Sequence, residues 1–257
     1  MKKAILLALL ITGLPVFCKT INGEIKKDAE FNTNRIYDSS TNMPIEGVVI
    51  KIPAKHYITK TDKDGSFKLK TQITSPSIMA LEKEGYKPFS MTLNEDLKSP
   101  IQIGIEKTSA KDIVVDTDMV HIGDDTYSER SANAGEFSIH SSGPFYSKDF
   151  NIPFVNQNEN LYIILGSIIG IDTLEAQRMG QSNLLTAYSS PPEIFFNGNM
   201  ISSIRINGDN QKIRVPKNLI KSNMKNTITI KTGRNLFKHS YVDFDDIEFT
   251  ILLLEIK

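Results

Sequence analysis

Short apolar runs alternate with polar residues along most of the chain and are separated by turn residues. This alternation predicts β-strands that each have one buried face. In the first half, the predicted strands are residues 48–52, 67–69, 90–93 and 101–105, and residues 61–65 supply a hairpin turn between the first two. The first half therefore has the pattern of a small antiparallel sandwich.

The second half has the same character. Its predicted strands are residues 137–139, 161–165, 194–196, 204–206, 227–231 and 247–256, and Asn-Gly turns follow at residues 197–198 and 207–208. Only residues 173–179 and 216–222 could be helical, and both segments are short. The spacing predicts a second sandwich or a jelly roll, so the fold class is all-β.

The first residues predict the compartment. Lys2 and Lys3 precede an apolar run, residues 4–17, that is interrupted only by Thr12. The run is shorter than the roughly 20 apolar residues of a membrane-spanning helix, so residues 1–18 are interpreted as a secretory signal peptide. We expect an exported protein, periplasmic, on the cell surface or extracellular, without a transmembrane segment. Bulky Phe17 precedes Cys18 where a lipobox has a small residue, which favours ordinary cleavage over lipidation at Cys18.

Composition limits the partners. The chain has 30 Lys plus Arg and 30 Asp plus Glu, so it has no basic excess with which to neutralise nucleic acid. A polar segment, residues 106–111, separates the two halves and predicts a domain boundary, with one domain at 19–108 and the other at 112–257. Because this linker is short, we expect the two domains to touch.

The first domain resembles the carboxypeptidase regulatory-like domains of transthyretin-like fold. The resemblance rests on the phrases at residues 22–25, 43–50, 59–69 and 85–88, the third of which contains Asp62-Lys63-Asp64-Gly65. It implies a transthyretin-like β-sandwich with a scaffold role. Zinc carboxypeptidases that carry such a domain keep their zinc ligands in a separate catalytic domain, which this chain lacks.

The second domain resembles the galactose-binding-like jelly rolls that occur as carbohydrate-binding modules. The matching phrases lie at residues 121–125, 195–198, 215–220, 226–230 and 245–249, with Asn133 and Phe137 after the first. The resemblance implies a jelly roll that binds a glycan. It also implies a structural calcium where the first and last strands meet.

Candidate binding residues follow from sugar chemistry. A glycan site combines an aromatic face with planar polar side chains, and the predicted contacts are Tyr127, Arg130, Tyr188 and Arg234. His239 and Tyr241 are further loop residues of suitable type. The absence of tryptophan counts against the idea, and the alternative is that these are ordinary surface or core residues.

Candidate metal ligands are the aspartates before the last strand. Asp245 and Asp246, with Asp118 or Asp116 from the first strand of the domain, form the predicted calcium site, because calcium prefers several oxygen ligands. The alternative is that they are solvated turn residues. The pair Asp62 and Asp64 lacks the remaining ligands of an EF-hand loop and predicts a plain turn.

No local catalytic signature is present. The sequence contains no G-x-S-x-G, H-E-x-x-H, P-loop or G-x-G-x-x-G motif, and the four histidines have no partner at metal-ligand spacing in the sequence. We therefore expect a non-enzymatic, secreted or cell-surface carbohydrate-binding accessory. The alternatives are a structural or adhesion module that holds an envelope protein partner through exposed strand edges, and a hydrolase whose site is assembled from dispersed residues.

Overall fold

Strands dominate the part of the chain that the structure describes. The computed structural model describes residues 33–95, 100–127, 137–182 and 188–257. These residues form fifteen strands, one short α-helix and single turns of 3₁₀-helix. The strands assemble into four sheets that pack as sandwiches, and this confirms the all-β prediction.

The first sandwich consists of a three-stranded and a four-stranded sheet. Its strands are β1 (Asn34–Asp38), β2 (Val49–Ile52), β3 (Tyr57–Lys60), β4 (Ser66–Phe67), β5 (Ser77–Glu82), β6 (Phe89–Leu93) and β7 (Gln102–Ile105). The sheet orders are β4-β1-β7 and β3-β2-β5-β6. All pairs are antiparallel except β1 and β7, which align Ile36 with Ile103 in parallel. Buried Ile36, Val48, Met79 and Leu93 belong to the core between these sheets.

The turn at residues 61–65 is present, but it is not the predicted hairpin. Strand β3, which the sequence did not reveal, intervenes after β2 and pairs with it, and β4 belongs to the other sheet. Asp62 caps the turn by accepting hydrogen bonds from the amides of Asp64 and Ser66, as predicted for a plain turn. Gly65 is required there, because its φ is +70° and a Cβ would meet the Ile36 carbonyl at 2.3 Å.

The second sandwich contains two four-stranded sheets. Its strands are β8 (Ile113–Ile122), β9 (Phe145–Ile152), β10 (Leu161–Ile169), β11 (Glu193–Phe196), β12 (Asn199–Ser203), β13 (Gly208–Arg214), β14 (Met224–Lys231) and β15 (Ile247–Ile256). The orders are β13-β10-β15-β8 and β12-β11-β14-β9. Side chains of both sheets meet in one core, in which Tyr146 and Phe249 pack edge to face at 5.4 Å.

Several local predictions for this sandwich can be checked. The 197–198 turn is confirmed, because Asn197 (φ 49°) and Gly198 (φ 80°) join β11 to β12 with the left-handed backbone of a tight hairpin. The helix is confirmed as α1 (Leu174–Arg178), which Thr173 caps. Residues 137–139 and 204–206 are not strands, so those predictions were wrong. In the second case the following residue, Asn207, is buried and bonds through its side chain to the backbone of Ile171 instead of forming a hairpin turn.

The two sandwiches pack against each other through their sheets. Strands β5 and β6 contact β10, β13 and β15, and this explains why all ten residues of β15 are buried although a sheet with one wet face would alternate. Polar contacts also cross the interface: Lys87 pairs with Glu255 at 2.5 Å, and the Thr92 amide donates to Asp209. Whether each half folds alone stays a prediction.

Some sequence predictions concern other parts of the chain. The signal peptide at residues 1–18, the cysteine at its end and the phrase at residues 22–25 lie outside the described residues, as do Arg130 and Asn133. Within the described ranges, no helix has the length and apolar character needed to cross a membrane.

Candidate functional site

The long connection between β14 and β15, residues 232–246, folds back onto the segment that precedes β11. Two isolated β-bridges hold it, one between Ser189 and Asn235 and one between Arg234 and Phe244. The amide of Leu236 donates to the carbonyl of Tyr188 at 2.8 Å, and the amide of Asn235 donates to Asp243 at the same distance. These bonds give a long loop the order of a small additional sheet.

Gly233 permits this arrangement. A Cβ at that position would meet the carbonyl oxygen of Ser190 at 1.7 Å, so the two backbones approach more closely than any side chain allows. The amide of Asp245 donates to the carbonyl of Gly233 at 3.0 Å, and this bond fixes the return of the chain into β15. The position of the loop therefore depends on one glycine.

The loop encloses an open cavity of about 450 Å³, which we call the rim cleft. Its lining residues are Arg234, Asn235, Leu236, Lys238, His239, Ser240, Tyr241, Val242 and Asp243. Although Leu236, Tyr241 and Val242 are apolar or aromatic, each is more than half exposed. This loop thus presents apolar side chains, hydrogen-bond donors and hydrogen-bond acceptors around one cavity.

Two aromatic contacts order the wall of the rim cleft. The ring of Tyr188 packs against Phe237, with 5.2 Å between ring centroids. On the other side, Lys238 donates to the Tyr241 hydroxyl at 3.0 Å and lies 5.2 Å from the centre of that ring. The Tyr241 ring is therefore positioned before any ligand arrives.

Asp243 is the buried polar residue of the rim cleft. It is 7% exposed, and its Oδ1 atom has no hydrogen-bond partner among the described residues. Burial raises the pKa of Asp243, Lys238 opposes that shift, and Asp124 adds to it. A buried acceptor without a donor is costly, so a ligand hydroxyl that reached this atom, which is itself closed to solvent, would relieve that cost.

Two of the four predicted sugar contacts, Tyr188 and Arg234, lie next to the bridge between Ser189 and Asn235. Of these two, Arg234 lines the rim cleft, together with His239 and Tyr241, and Tyr188 does not. Tyr127 lies elsewhere, with its ring 4.8 Å from Phe137.

Arg130, the fourth predicted contact, lies outside the described residues. Leu236, Lys238 and Asp243 also line the cleft, although no local motif in the sequence predicts this. The sequence feature that indicated an ordered loop here was the length of the segment between β14 and β15. This segment has too many residues for a hairpin turn and shows no alternation of apolar and polar residues.

The predicted calcium ligands do not share one set of contacts. The Thr250 hydroxyl bonds to the carbonyl of Asp118 at 3.2 Å, so Asp118 lies level with the middle of β15, whereas Asp246 precedes that strand. Asp116, the other candidate, accepts hydrogen bonds from the Tyr146 hydroxyl and from Lys148. The calcium ion stays a prediction.

Asp245 and Asp246 have different surroundings. Asp245 accepts a hydrogen bond from the amide of Asp172 at 3.2 Å, and burial raises its pKa well above the usual range. Asp246 Oδ1 instead lies 2.9 Å from His121 Nε2. His121, Asp125 and Asp246 each offer one ligand atom within 4.8 Å of the others. Sequence reasoning missed this group because 125 residues separate His121 from Asp246.

Comparison of the chain with models of known protein families gives no match, and neither does comparison with curated protein sequences.

Proposed function

We propose that this protein is an exported, non-catalytic binding protein that captures a carbohydrate in the rim cleft of its second sandwich. The observation that carries the proposal is the lining of that cleft. An ordered tyrosine ring, two cationic side chains and a buried acceptor without a partner surround one open cavity. The resemblance of the second domain to galactose-binding-like jelly rolls supports the same ligand class.

The lining suits a saccharide better than a purely apolar or purely ionic ligand. A sugar ring has C–H faces that pack on Tyr241, and neighbouring hydroxyls that can each donate and accept. Arg234 and Lys238 donate to these hydroxyls, and Asp243 accepts. At about 450 Å³, the cleft falls within the roughly 300 to 1,000 Å³ of small-ligand sites. A terminal mono- or disaccharide unit fits this size.

The first sandwich serves as a scaffold in this proposal. Its β5 and β6 strands pack on the sheet that contains β15, which continues directly from the rim cleft loop. The resemblance to regulatory-like domains supports a spacer that holds the binding loop at a fixed orientation.

The test is a glycan-array screen of the secreted chain, followed by calorimetry with the best ligand. We expect selective binding that Tyr241→Ala weakens at least tenfold, because an aromatic anchor contributes about 1 to 3 kcal/mol. Asp243→Asn, which keeps the side-chain shape, should also weaken binding. Tyr127→Ala is the matched control, since Tyr127 is 43% exposed but lies outside the cleft. Absence of glycan binding by the wild type, or equal losses in Tyr241→Ala and the control, would refute the proposal.

A second candidate function is attachment to an envelope protein by strand addition. Among the described residues, strand β3 pairs with β2 alone and so forms the edge of its sheet, and its Ile58 side chain is 67% exposed. A peptide partner would pair with this edge and cover Ile58. Crosslinking from position 60, an exposed residue of the same strand, distinguishes the two functions, because Ile58→Lys would abolish the crosslinked partner without changing glycan affinity.

A further inference from the structure

A buried group of ligand-type side chains lies at the end of the strand pair β8–β15. His121 is one residue before the end of β8, and Asp246 comes directly before β15. They are 1% and 5% exposed. Gly123 allows their approach, because a Cβ there would lie 2.2 Å from Asp246 Oδ1. The sequence therefore leaves space for the Asp246 carboxylate beside the histidine ring.

The hydrogen bonds of His121 define its ring. Nδ1 lies 2.6 Å from the carbonyl oxygen of Ile139, which can only accept, so Nδ1 carries a proton. Nε2 points to Asp246 Oδ1 at 2.9 Å. A bond from Nδ1–H to a backbone carbonyl is the usual means by which proteins orient a metal-binding imidazole, with Nε2 left to face the ion.

Asp246 has unused capacity in this buried setting. Its Oδ1 atom lies 2.9 Å from His121 Nε2 and accepts from the amide of Asp125 at the same distance. Its Oδ2 atom is buried and has no hydrogen-bond partner among the described residues. Buried carboxylate oxygens are normally satisfied, so this atom points to a missing partner.

Asp125 completes the group and opens it to solvent. Its backbone is left-handed at φ 59°, its amide bonds Asp246, and its side chain is 39% exposed. Asp125 Oδ1 lies 3.8 Å from His121 Nδ1 and accepts from the amide of Ser141, and Asp125 Oδ2 lies 3.5 Å from Nδ1 of the exposed His140. Glu248 adds a further buried carboxylate nearby, and its Oε1 atom accepts from the Ser138 hydroxyl and the Ile139 amide. The group thus contains three carboxylates, those of Asp125, Asp246 and Glu248, and one buried imidazole. A bound cation would offset this excess of negative charge.

We propose that His121, Asp125 and Asp246 bind one divalent transition-metal ion of the Zn²⁺ type. The imidazole decides the class, since nitrogen-containing sites suit zinc and its neighbours, whereas calcium and magnesium take oxygen ligands. The ion would supply the partner that Asp246 Oδ2 lacks and would tie the 121–125 turn to the start of β15. This site is separate from the rim cleft.

The test uses the full secreted chain after chelator treatment, with ZnCl₂ and CaCl₂ titrated in separate calorimetry and thermal-unfolding experiments. We expect one equivalent of zinc to bind, and a hundredfold excess over Kd to raise Tm by roughly 5 °C or more. Calcium should bind at least tenfold more weakly.

Variants then locate the ion. Asp246→Asn should weaken zinc binding at least tenfold, and Asp125→Asn, at an exposed position in a turn, should do the same. Asp118→Asn, at an exposed position of β8, the strand that carries His121, is the matched control and should bind as the wild type does. X-ray absorption of the zinc-loaded chain should show mixed nitrogen and oxygen ligands.

Three results would overturn the proposal. They are no zinc binding, zinc binding that both Asp125→Asn and Asp246→Asn leave unchanged, and preference for calcium. In the first case His121 is a buried imidazolium paired with Asp246, and nitrogen NMR of its ring would show both nitrogens protonated with or without zinc.

Discussion

Glu255 joins the two sandwiches, and its replacement by glutamine should destabilise the protein measurably. The Glu255 carboxylate is buried, with a side-chain exposure of 8%, yet it lies 2.5 Å from Lys87, 3.0 Å from Lys212 and 2.8 Å from Lys257. Lys87 belongs to the first sandwich and the other residues to the second. Glu255→Gln removes the charge, keeps the shape, and leaves three ammonium groups around a neutral amide.

The magnitude follows from the pKa. Burial alone would raise the pKa of Glu255, but Lys257, Lys87 and Lys212 outweigh it and lower the pKa from 4.5 to about 2. At about 1.4 kcal/mol per pH unit, this difference corresponds to roughly 3 kcal/mol of stability. Because the folded-state pKa is the lower one, the contribution is complete above pH 4.5 and is lost as the pH falls through 2.

The assay is urea unfolding of wild type and Glu255→Gln at several pH values. At pH 7 the variant should be less stable by roughly 2 to 4 kcal/mol, and the difference should shrink between pH 4.5 and pH 2. Glu82→Gln is the matched control, because Glu82 meets only Lys51 at a half-exposed surface and should cost at most about 1 kcal/mol. A loss below about 1 kcal/mol in Glu255→Gln, or a pH-independent loss, would refute the reasoning.

Three further predictions concern single sites. Gly166→Ala places a Cβ 2.5 Å from Ser90 Oγ at the interface of the sandwiches, so it should lower the free energy of unfolding by about 1 to 3 kcal/mol, as measured by thermal unfolding. Gly208→Ala is the control and should be close to neutral, because the nearest atom to its Cβ lies 4.0 Å away. Asp172→Asn should match the wild type near pH 3.8 and exceed its stability by roughly 2 to 3 kcal/mol at pH 7. Burial raises the pKa of Asp172 to about 6, so deprotonation at pH 7 disfavours the folded state of the wild type. Equal urea midpoints for the two proteins at pH 7 would contradict this prediction. Gly198→Ala should cost about 1 kcal/mol through its φ of +80° alone, and an unchanged midpoint would show that the hairpin relaxes.

The sequence by itself determined the class of the fold and many of its local features. Alternation identified strand β14, because a half-buried strand must place apolar residues at every second position, whereas β15 was recognisable as a long apolar run at the end of the chain. The 197–198 turn and the helix capped by Thr173 were predictable because their chemistry is local. Strand β5 was missed because it is buried along almost its whole length and carries little alternation.

Only the tertiary structure decided which residues meet. The rim cleft depends on a backbone approach at Gly233, and the group of His121, Asp125 and Asp246 depends on strand pairing between β8 and β15. The burial of all of β15 depends on a second sheet that covers its outer face. The periodicity of a sequence indicates which side of a strand faces a core. Strand register and sheet packing bring distant residues together, and both depend on the burial of apolar surface summed over the whole chain.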